Sequence, residues 1–411
     1  MEAEKRLARR LLLVLLAIFA VCFAFTCTDD DDGDGGGDDD SGDDDDDREC
    51  RGEFIVFRTE IPWTPVGNAN LYGSVVDDDG NLHQATEWLN DQGEQEEYLV
   101  YYCACIGDQW EEPELIVTSD RDIGGPYIAL DGSGRAHLAF AQKDQGGTDN
   151  HVLYYAGRSG DEWNAQEVLT DEGLRDVAFA ADTDGNAHFV HYRRDTPQNL
   201  LMYTTNASGA WTTEQLDEVL EATCTADLIS APGGTLHAVY LYTNWESHDD
   251  DSTDHNRIRY ASLASGAWAT DTIEQDDETG HWPRIAVGGG KVHTVYHGEL
   301  SGTDSEIRYA ARAQDGWTAS SLATGPVDLP MLAAGTNGAA YVVYVEGSYY
   351  LRFATDLNGS FQREQIDANS EIGMMAEAVG EDAEGYVHVY YPYYGHDSSI
   401  WHAVVDPYCV R

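Results

Sequence analysis

Between residues 243 and 255 the chain carries its densest group of side chains that could bind a ligand. The segment holds the indole of Trp245 together with His248, Asp250 and His255, which we consider as candidate metal ligands. Carboxylates suit Ca²⁺, and imidazole nitrogens suit Zn²⁺ or Cu²⁺. The spacing matches no recognised metal site, so a solvated loop is the simpler interpretation. We therefore predict no required cofactor, with Ca²⁺ as the open alternative.

A second group of candidates combines aromatic rings with charged side chains. We expect these residues in the connecting loops and at the starts of the innermost strands. Aromatic rings beside carboxylates suit sugar stacking or the capture of a cation. Packing is the competing role for about half of them, because large aromatic side chains are often partly buried. The binding candidates are Trp88, Tyr127, Asp227, Trp245, His281, Trp282, Arg284, Glu377, Tyr394 and His396.

The common enzyme classes leave no recognisable signature in this chain. It has no phosphate-binding glycine loop, no nucleophile elbow, no dinucleotide fingerprint and no four-ligand cysteine or histidine cluster. We therefore predict no catalytic residue. Cleavage of a glycosidic bond would need two carboxylates about 5–9.5 Å apart, and such a distance cannot be read from the sequence.

A repeat positions these candidates. A glycine is followed three residues later by histidine, or once by tyrosine, and then by an apolar stretch. Seven copies spaced by about 50 residues are typical of a β-propeller. The copies are Gly80/His83, Gly134/His137, Gly185/His188, Gly234/His237, Gly290/His293, Gly338/Tyr341 and Gly385/His388.

Each copy predicts two hairpins, whose strands we call a, b, c and d from the channel outward. In the second copy, residues 127–130 and 137–140 flank one turn, and residues 152–156 and 166–169 flank the other. The seventh copy lacks a d strand, which the isolated strand at residues 53–58 can supply. The sequence therefore predicts an all-β, seven-bladed propeller of four-stranded blades, with the last blade closed by the N-terminal strand.

The repeated histidine invites a metal-binding or catalytic interpretation, which we reject. A catalytic residue would occur once, whereas recurrence at one strand position indicates a structural role, such as a buried hydrogen bond to a neighbouring loop. The Asp-x-Asp-Gly sequences at residues 77–80 and 182–185 are similar to Ca²⁺ loops. Ala231 and Val287 occupy the equivalent place in other copies, so a plain turn is the favoured interpretation.

The turns at residues 156–163 and 262–268 resemble degenerate Asp-box repeats of sialidase-like propellers, and the resemblance extends over residues 72–404. It implies a propeller in which this turn joins strands c and d. The Asp of the box is missing or displaced here. The Arg-Ile-Pro motif, which supplies the first of the three arginines that sialidases use, is absent. These departures argue against sialidase chemistry.

The formal charge of −52, from 75 acidic and 23 basic residues, constrains the partners. Such a surface repels nucleic acid and anionic lipid headgroups, so we predict neither as a partner. It suits cationic ligands, or it keeps the protein soluble in concentrated salt, and the second interpretation is the simpler one. The composition resembles that of proteins from halophilic microbes.

Residues 1–27 have the features of an export signal. Basic residues precede an apolar run at residues 11–25, which is shorter than the roughly 20 residues that a membrane-spanning helix needs. Cys27 follows this run, as it does in the lipobox of bacterial lipoproteins. The segment resembles that motif, although Ala24 and Thr26 depart from its usual residues. The resemblance implies that Cys27 carries the lipid.

Residues 28–49 are rich in Asp and Gly and contain no apolar side chain to bury, so we predict a disordered tether. The propeller domain then spans residues 50–411. Together these segments predict an exported protein whose only membrane contact is a lipid anchor, at the cell surface or in the periplasm. Secretion without an anchor is the alternative.

Cysteine positions suggest how the ring is clamped. Cys50 precedes the N-terminal strand and Cys409 lies near the C-terminus, so we predict a disulfide between them in an oxidising compartment. Cys103 and Cys105 face the same way on one strand, and we expect no bond between them. The pairing of Cys103, Cys105 and Cys224 with other cysteines stays open.

The connections between strands b and c, and between one blade and the next, are longer and more varied than the other turns. Binding residues are expected on that face. We predict a monomeric, non-catalytic module that binds a carbohydrate or an envelope or extracellular protein. The alternative is a glycan-cleaving enzyme, a glycoside hydrolase or lyase, that uses carboxylates on the same face.

Overall fold

The computed structural model describes the propeller domain almost throughout. The described residues are 53–62, 70–90, 96–143, 150–160, 162–172, 174–194, 199–219, 225–244, 255–264, 266–274, 280–299, 305–313, 316–347, 350–368, 376, 378–393 and 399–410. They form β-strands and a 3₁₀ turn at Pro407–Cys409. None of the described residues belongs to a helix long and apolar enough to cross a membrane.

The strands follow one another in short hairpins. From β1 to β10 they are β1 (Ile55–Pro62), β2 (Asn70–Val76), β3 (Leu82–Asn90), β4 (Glu97–Ile106), β5 (Gln109–Trp110), β6 (Glu114–Ser119), β7 (Ile123–Leu130), β8 (Ala136–Lys143), β9 (Asn150–Ser159) and β10 (Glu162–Glu172). From β11 to β20 they are β11 (Arg175–Ala181), β12 (Ala187–Arg194), β13 (Asn199–Thr205), β14 (Thr212–Val219), β15 (Ala226–Ser230), β16 (Leu236–Asn244), β17 (His255–Leu263), β18 (Trp268–Thr272), β19 (His281–Gly288) and β20 (Lys291–Glu299). The remaining strands are β21 (Ser305–Ala313), β22 (Gly316–Gly325), β23 (Val327–Ala334), β24 (Ala340–Glu346), β25 (Tyr350–Thr355), β26 (Gln362–Ala368), β27 (Ala378–Glu381), β28 (Val387–Tyr393) and β29 (Ser399–Val405).

These strands form seven antiparallel sheets, which confirms the predicted seven-bladed propeller. Blades 1 to 6 are β2–β6, β7–β10, β11–β14, β15–β18, β19–β22 and β23–β26. In blade 1 the outer strand is split, so that β5 and β6 both pair with β4. The a strands β2, β7, β11, β15, β19, β23 and β27 contact one another in succession around the whole ring.

Blade 7 closes the ring with both ends of the chain, as predicted. Its a, b and c strands are β27, β28 and β29, and its outer strand is β1. Ile61 of β1 lies opposite Ile400 of β29, and both side chains are buried. The backbone N–H of Asp406 donates to the carbonyl oxygen of Phe54 at 2.9 Å, and Phe54 is the residue immediately before β1. Pairing β1 in this way covers an edge that would otherwise be open to other chains.

The repeated histidine bridges two strands of its own blade, which confirms its predicted structural role. Its Nδ1 lies within hydrogen-bond distance of a tyrosine hydroxyl on strand c, and we call this contact the histidine bridge. The distances are 2.7 Å for His83–Tyr102, 2.6 Å for His137–Tyr155, 2.8 Å for His188–Tyr203, 2.6 Å for His237–Tyr260 and 2.7 Å for His293–Tyr309. In blade 7, His402 replaces the tyrosine, and its Nε2 lies 2.9 Å from His388 Nδ1.

In four blades the other imidazole nitrogen contacts the aspartate of the a–b turn. The distances from histidine Nε2 to aspartate Oδ2 are 3.0 Å for His83–Asp77, 3.1 Å for His137–Asp131, 3.2 Å for His188–Asp182 and 2.9 Å for His388–Asp382. A neutral imidazole with its proton on Nε2 satisfies both partners. The same aspartate accepts hydrogen bonds from backbone amides of its turn, as Asp131 does from Ser133 and Arg135. These hydrogen bonds fit the plain-turn interpretation.

An aromatic ring from the following blade covers each bridge tyrosine. The ring is the tryptophan, or once the phenylalanine, that recurs at the c–d turns in the sequence. Centroid distances are 5.4 Å for Tyr102–Trp163, 5.6 Å for Tyr155–Trp211, 5.0 Å for Tyr203–Trp268, 5.1 Å for Tyr260–Trp317 and 4.7 Å for Tyr309–Phe361. Such pairs contribute about 0.5–1.5 kcal/mol each beyond the burial of their surface. The aromatic contacts therefore join neighbouring blades to the bridges within each blade.

A second contact between blades escaped the sequence analysis. A carboxylate at the end of a d strand is bound by a tyrosine and an arginine of the next blade. Asp217 accepts from Tyr240 and from Arg259, both at 2.6 Å. Equivalent contacts join Glu274 to Tyr296 and Arg308, and Asp367 to Tyr391 and Arg58. Paired in this way, the partly buried charges keep hydrogen-bond partners.

Blade 4 offers a direct test of the histidine bridge. Its turn has the same backbone hydrogen bonds as the turn of blade 2, but Ala231 replaces the aspartate. Burial lowers the pKa of His237 to about 4, and the nearby Arg312 adds to this effect. Histidine in the unfolded chain has a pKa near 6.5, so the unfolded state binds a proton at a higher pH than the folded state does. The free energy of unfolding therefore decreases as the pH falls from about 6.5 to 4.

We predict that Ala231→Asp stabilises the protein by about 1 kcal/mol at pH 7, by giving the turn amides and His237 an acceptor. A raised His237 pKa should add roughly 1–2 kcal/mol to this gain at pH 5. The control is Ala231→Asn, whose side chain accepts the same hydrogen bonds but carries no charge. Its gain in stability should be the same at pH 5 as at pH 7, without the additional gain from a raised His237 pKa. Urea unfolding of the three proteins at both pH values measures the effect. Equal gains for the two variants at pH 5 would contradict it.

Candidate functional site

The a strands of four blades carry a β-bulge that contains a positive-φ residue close to the channel. The register shifts lie between Gly124 and Tyr127, Arg175 and Ala178, His281 and Arg284, and Asp328 and Met331. One residue of each bulge has a positive φ: Gly125 (43°), Asp176 (46°), Trp282 (53°) and Leu329 (51°). A bulge re-aims the side chains beside it, and a positive φ is costly for a large residue such as tryptophan. The bulges therefore mark this end of the channel as a specialised surface.

A cavity of about 320 Å³ opens at these bulges, and we call it the channel-mouth cavity. It is lined by Gly73, Ser74, Tyr127, Ile128, Asp176, Val177, Ala178, Phe179, Thr225, Ala226, Asp227, Trp282, Pro283, Arg284 and Met331. A second cavity, of about 860 Å³, lies among the a–b turns. Ser74, Ile128, Phe179 and Asp227 line both cavities, so the two meet at these residues.

Trp282 is the exposed aromatic residue of the channel-mouth cavity. Its side chain is 41% exposed, although most large apolar side chains of the described residues are buried. Its indole packs near the imidazoles of His281 and His297, at centroid distances of 5.9 and 5.6 Å. Its backbone N–H donates to the hydroxyl of Thr225, in blade 4, at 3.1 Å. The neighbouring blade thus holds the bulge that presents this ring.

Asp227 lies beside Trp282 and is fixed by backbone amides. Leu228 N donates to its Oδ1 at 3.0 Å, and Ile285 N of blade 5 donates to its Oδ2 at 2.9 Å. Burial raises the pKa of this carboxyl group, and the Arg284 guanidinium and the two amides oppose that effect. The carboxylate therefore has a fixed orientation and is electrostatically coupled to an arginine.

Tyr127 and Asp176 complete the polar part of the lining. Burial raises the pKa of Tyr127 to about 12, and the nearby Asp176 carboxylate adds to this rise. The phenol therefore stays protonated at neutral pH and keeps its hydrogen-bond donor. Asp176 and Asp227 come from adjacent blades, so two carboxylates, one guanidinium, one phenol and one exposed indole line a single cavity.

The structure gathers the candidates that we placed at the starts of the a strands. Tyr127, Asp227, Trp282 and Arg284 line the channel-mouth cavity, and His281 packs beside Trp282. The structure does not place Trp88 in this cavity. That residue is half-buried on β3, opposite Leu99 of β4.

The structure describes few of the candidates that we expected in the connecting loops. Trp245, His248, Asp250, Glu377, Tyr394 and His396 lie outside the described residues, as do Cys27 and Cys50. His255 is the first residue of β17, where only its backbone is described. No group of three His, Cys, Asp or Glu side chains suited to a metal ion occurs within the described residues.

The cysteines that can be placed are buried. Cys103 and Cys105 on β4 are free thiols, which confirms that they do not bond each other. Burial raises the pKa of both thiols to about 12, so both are protonated and unreactive at neutral pH. Cys409 is buried in the 3₁₀ turn, and its bond to Cys50 stays a prediction.

Sequence reasoning missed Thr225, Asp176 and Met331. Distance along the chain from the repeated histidine or tyrosine is the signal that could have found them. Tyr127, Asp227 and Met331 each lie ten residues before that position in their own copies, and Asp176 and Thr225 lie twelve before it. When the copies are aligned on that position, Tyr127, Asp227 and Met331 share one aligned position, and Asp176 and Thr225 share another.

Neither a protein-family model nor a curated protein matches the sequence. The structure is similar to the β-propeller domain of the Trilobed protease from Pyrococcus furiosus, with a TM-score of 0.50 and 10% identity over 83% of this chain and 98% of that chain. It is also similar to the uncomplexed acylaminoacyl peptidase of Pyrococcus horikoshii, with a TM-score of 0.50 and 12% identity over 84% of this chain and 53% of that chain. The α-L-arabinanase of Penicillium chrysogenum complexed with arabinobiose has a TM-score of 0.46 and 12% identity over 86% of this chain and 99% of that chain. The two comparisons with a TM-score of 0.50 support the propeller fold alone.

We predict that Thr225→Val, which removes the acceptor for Trp282 N, lowers the free energy of unfolding by about 1–2 kcal/mol. Thr225→Ser is the matched control, because it keeps the hydroxyl and should cost less than half as much. Urea unfolding measures both variants. If the two substitutions cost the same, the hydroxyl does not hold the bulge.

Proposed function

We propose that the protein is a carbohydrate-binding propeller and that the channel-mouth cavity is its binding site. The observation that carries this proposal is an exposed indole, Trp282, held on a strained bulge beside a fixed carboxylate and an arginine. Pockets that bind small ligands are concave and combine apolar surface with a few placed polar groups. A sugar offers both kinds of surface, since its C–H face packs on an aromatic ring and its hydroxyls bond polar groups.

The charge of the protein agrees with this ligand class. At −52 the surface repels nucleic acid, and a carbohydrate without negative charge meets no such barrier. An envelope or extracellular protein is the alternative partner, and it would have to bind the varied loops around the mouth. Binding without chemistry is the function that we propose, since no recognised catalytic motif occurs in the sequence.

One observation favours the second candidate, a glycan-cleaving enzyme. Asp176 and Asp227 line one cavity from adjacent blades, and burial raises the pKa of Asp227. Two carboxyl groups in one site, with the pKa of one of them raised, are the arrangement that glycosidases use. Incubating the protein with oligosaccharides and measuring new reducing ends separates the two functions. Product that forms with the native protein but not with Asp227→Asn would establish the enzyme.

We also propose an exported protein, lipid-anchored through Cys27 and clamped by a Cys50–Cys409 disulfide. The support is the order of basic, apolar and cysteine residues at the N-terminus, followed by the acidic tether. We likewise propose that the turns at residues 156–163 and 262–268 are related to the Asp-box turns of sialidases. Intact mass with and without reduction tests the anchor and the disulfide together.

We predict that Trp282→Ala weakens binding of an oligosaccharide at least tenfold, because the ligand loses its aromatic platform. Tyr350→Ala is the matched control, since Tyr350 is also exposed, at 43%, but does not line the cavity. Calorimetric titration against a panel of oligosaccharides measures both variants. If binding is retained in Trp282→Ala but lost in Tyr350→Ala, the binding site lies at Tyr350 and not in the channel-mouth cavity.

A further inference from the structure

Arg284 is held in the channel-mouth cavity without the pairing that other arginines of this protein have. Arg259 and Arg308 each bind a carboxylate at 2.6 Å. No such hydrogen bond joins the Arg284 guanidinium to the described residues, although this side chain lines the cavity. Its Nε is enclosed by protein, as is the Nε of Arg259, so a ligand in the cavity would bind the terminal nitrogens of the guanidinium.

Asp227 is the matching acceptor. Arg284 is near enough to lower the pKa of this carboxyl group, yet the hydrogen bonds to Asp227 come from the amides of Leu228 and Ile285. An ionised carboxylate accepts about four hydrogen bonds, so each oxygen keeps capacity for a further donor. The cavity therefore presents an open donor and an open acceptor from adjacent blades.

We propose that Arg284 and Asp227 bind two hydroxyl groups of a neutral sugar, with one hydroxyl accepting from the Arg284 guanidinium and the other donating to Asp227. This inference rests on the proposed carbohydrate-binding function and assigns the class of sugar. Hydroxyl groups suit both side chains, because each can donate and accept.

The surroundings argue against acidic sugars. A carboxylate or sulfate that bound Arg284 would lie in a cavity shared with Asp227 and Asp176, within a protein of charge −52. Repulsion between like charges in such a cavity is screened less than at the surface. The two carboxylates and the net charge do not disfavour an amino sugar in the same way, since only Arg284 would repel its ammonium group. The site therefore selects neutral sugars over acidic ones.

The test uses the full-length protein in detergent and calorimetric titration of matched tetrasaccharides. The neutral probes are cellotetraose, mannotetraose and xylotetraose, and the acidic probe is tetragalacturonate. We expect at least one neutral probe to bind more than tenfold more tightly than tetragalacturonate. We expect Arg284→Met to weaken that binding roughly ten- to hundredfold, as expected for the loss of a hydrogen bond to a charged group.

Two further variants keep the result interpretable. Arg284→Lys retains the charge but lacks the planar guanidinium, so it should bind almost as weakly as Arg284→Met if the guanidinium hydrogen bond matters. Arg135→Met is the control, because Arg135 is exposed on an a–b turn, away from this cavity, and should bind as the native protein does. Thermal unfolding of all variants shows whether each is folded.

The outcomes separate the two proposals. Tighter binding of tetragalacturonate than of any neutral probe, lost in Arg284→Met, would overturn the neutral class and leave carbohydrate binding intact. Neutral binding that is unchanged in Arg284→Met would overturn the role of this arginine. Failure of all probes to bind the folded native protein would overturn the proposed function itself.

Discussion

The hydrogen bond between the repeated histidine and the tyrosine of strand c is the contact on which the rest of the propeller depends. It joins strands b and c of one blade, and its tyrosine is the surface on which the aromatic ring of the next blade packs. A defect in one bridge therefore affects both a blade and an interface. Blade 6 shows what replaces the bridge when the histidine is absent. There the hydroxyl of Tyr341 donates to Glu381 of blade 7 at 2.8 Å, and its ring stacks on Phe353. Phe353 in turn packs against Phe54, which immediately precedes β1.

The rigid ring makes a strained channel mouth possible. Four a strands carry positive-φ residues in their bulges, and one of them presents Trp282 to solvent. Strain of this kind persists only where the surrounding structure holds it, and here Thr225 and Asp227 of blade 4 bind backbone amides of blade 5. Asp227 thus has two roles, because it fixes the neighbouring strand and also lines the cavity. Removing its side chain would disturb the backbone as well as the ligand contacts, which is why the arginine is the cleaner position for testing specificity.

Much of this architecture could be predicted because it repeats. Seven histidine or tyrosine positions gave the blade number, and the missing d strand of the seventh copy gave the closing role of β1. Tyr127, Asp227, Trp282 and Arg284 were predicted near the channel because each lies at the start of an a strand. Thr225 and Asp176 were missed because the copies were compared at the repeated glycine and histidine and not at the position twelve residues before that histidine. The contacts of Asp217 and Glu274 were missed because their partners lie in the following blade.

A crystal structure of the protein with a bound neutral oligosaccharide would test the account most directly. The account predicts a sugar ring packed on Trp282, one hydroxyl within hydrogen-bond distance of the Arg284 guanidinium and another within the same distance of an Asp227 oxygen. Ligand density on the outer strands or on the loops at the rim, with the channel-mouth cavity filled only by water, would contradict it.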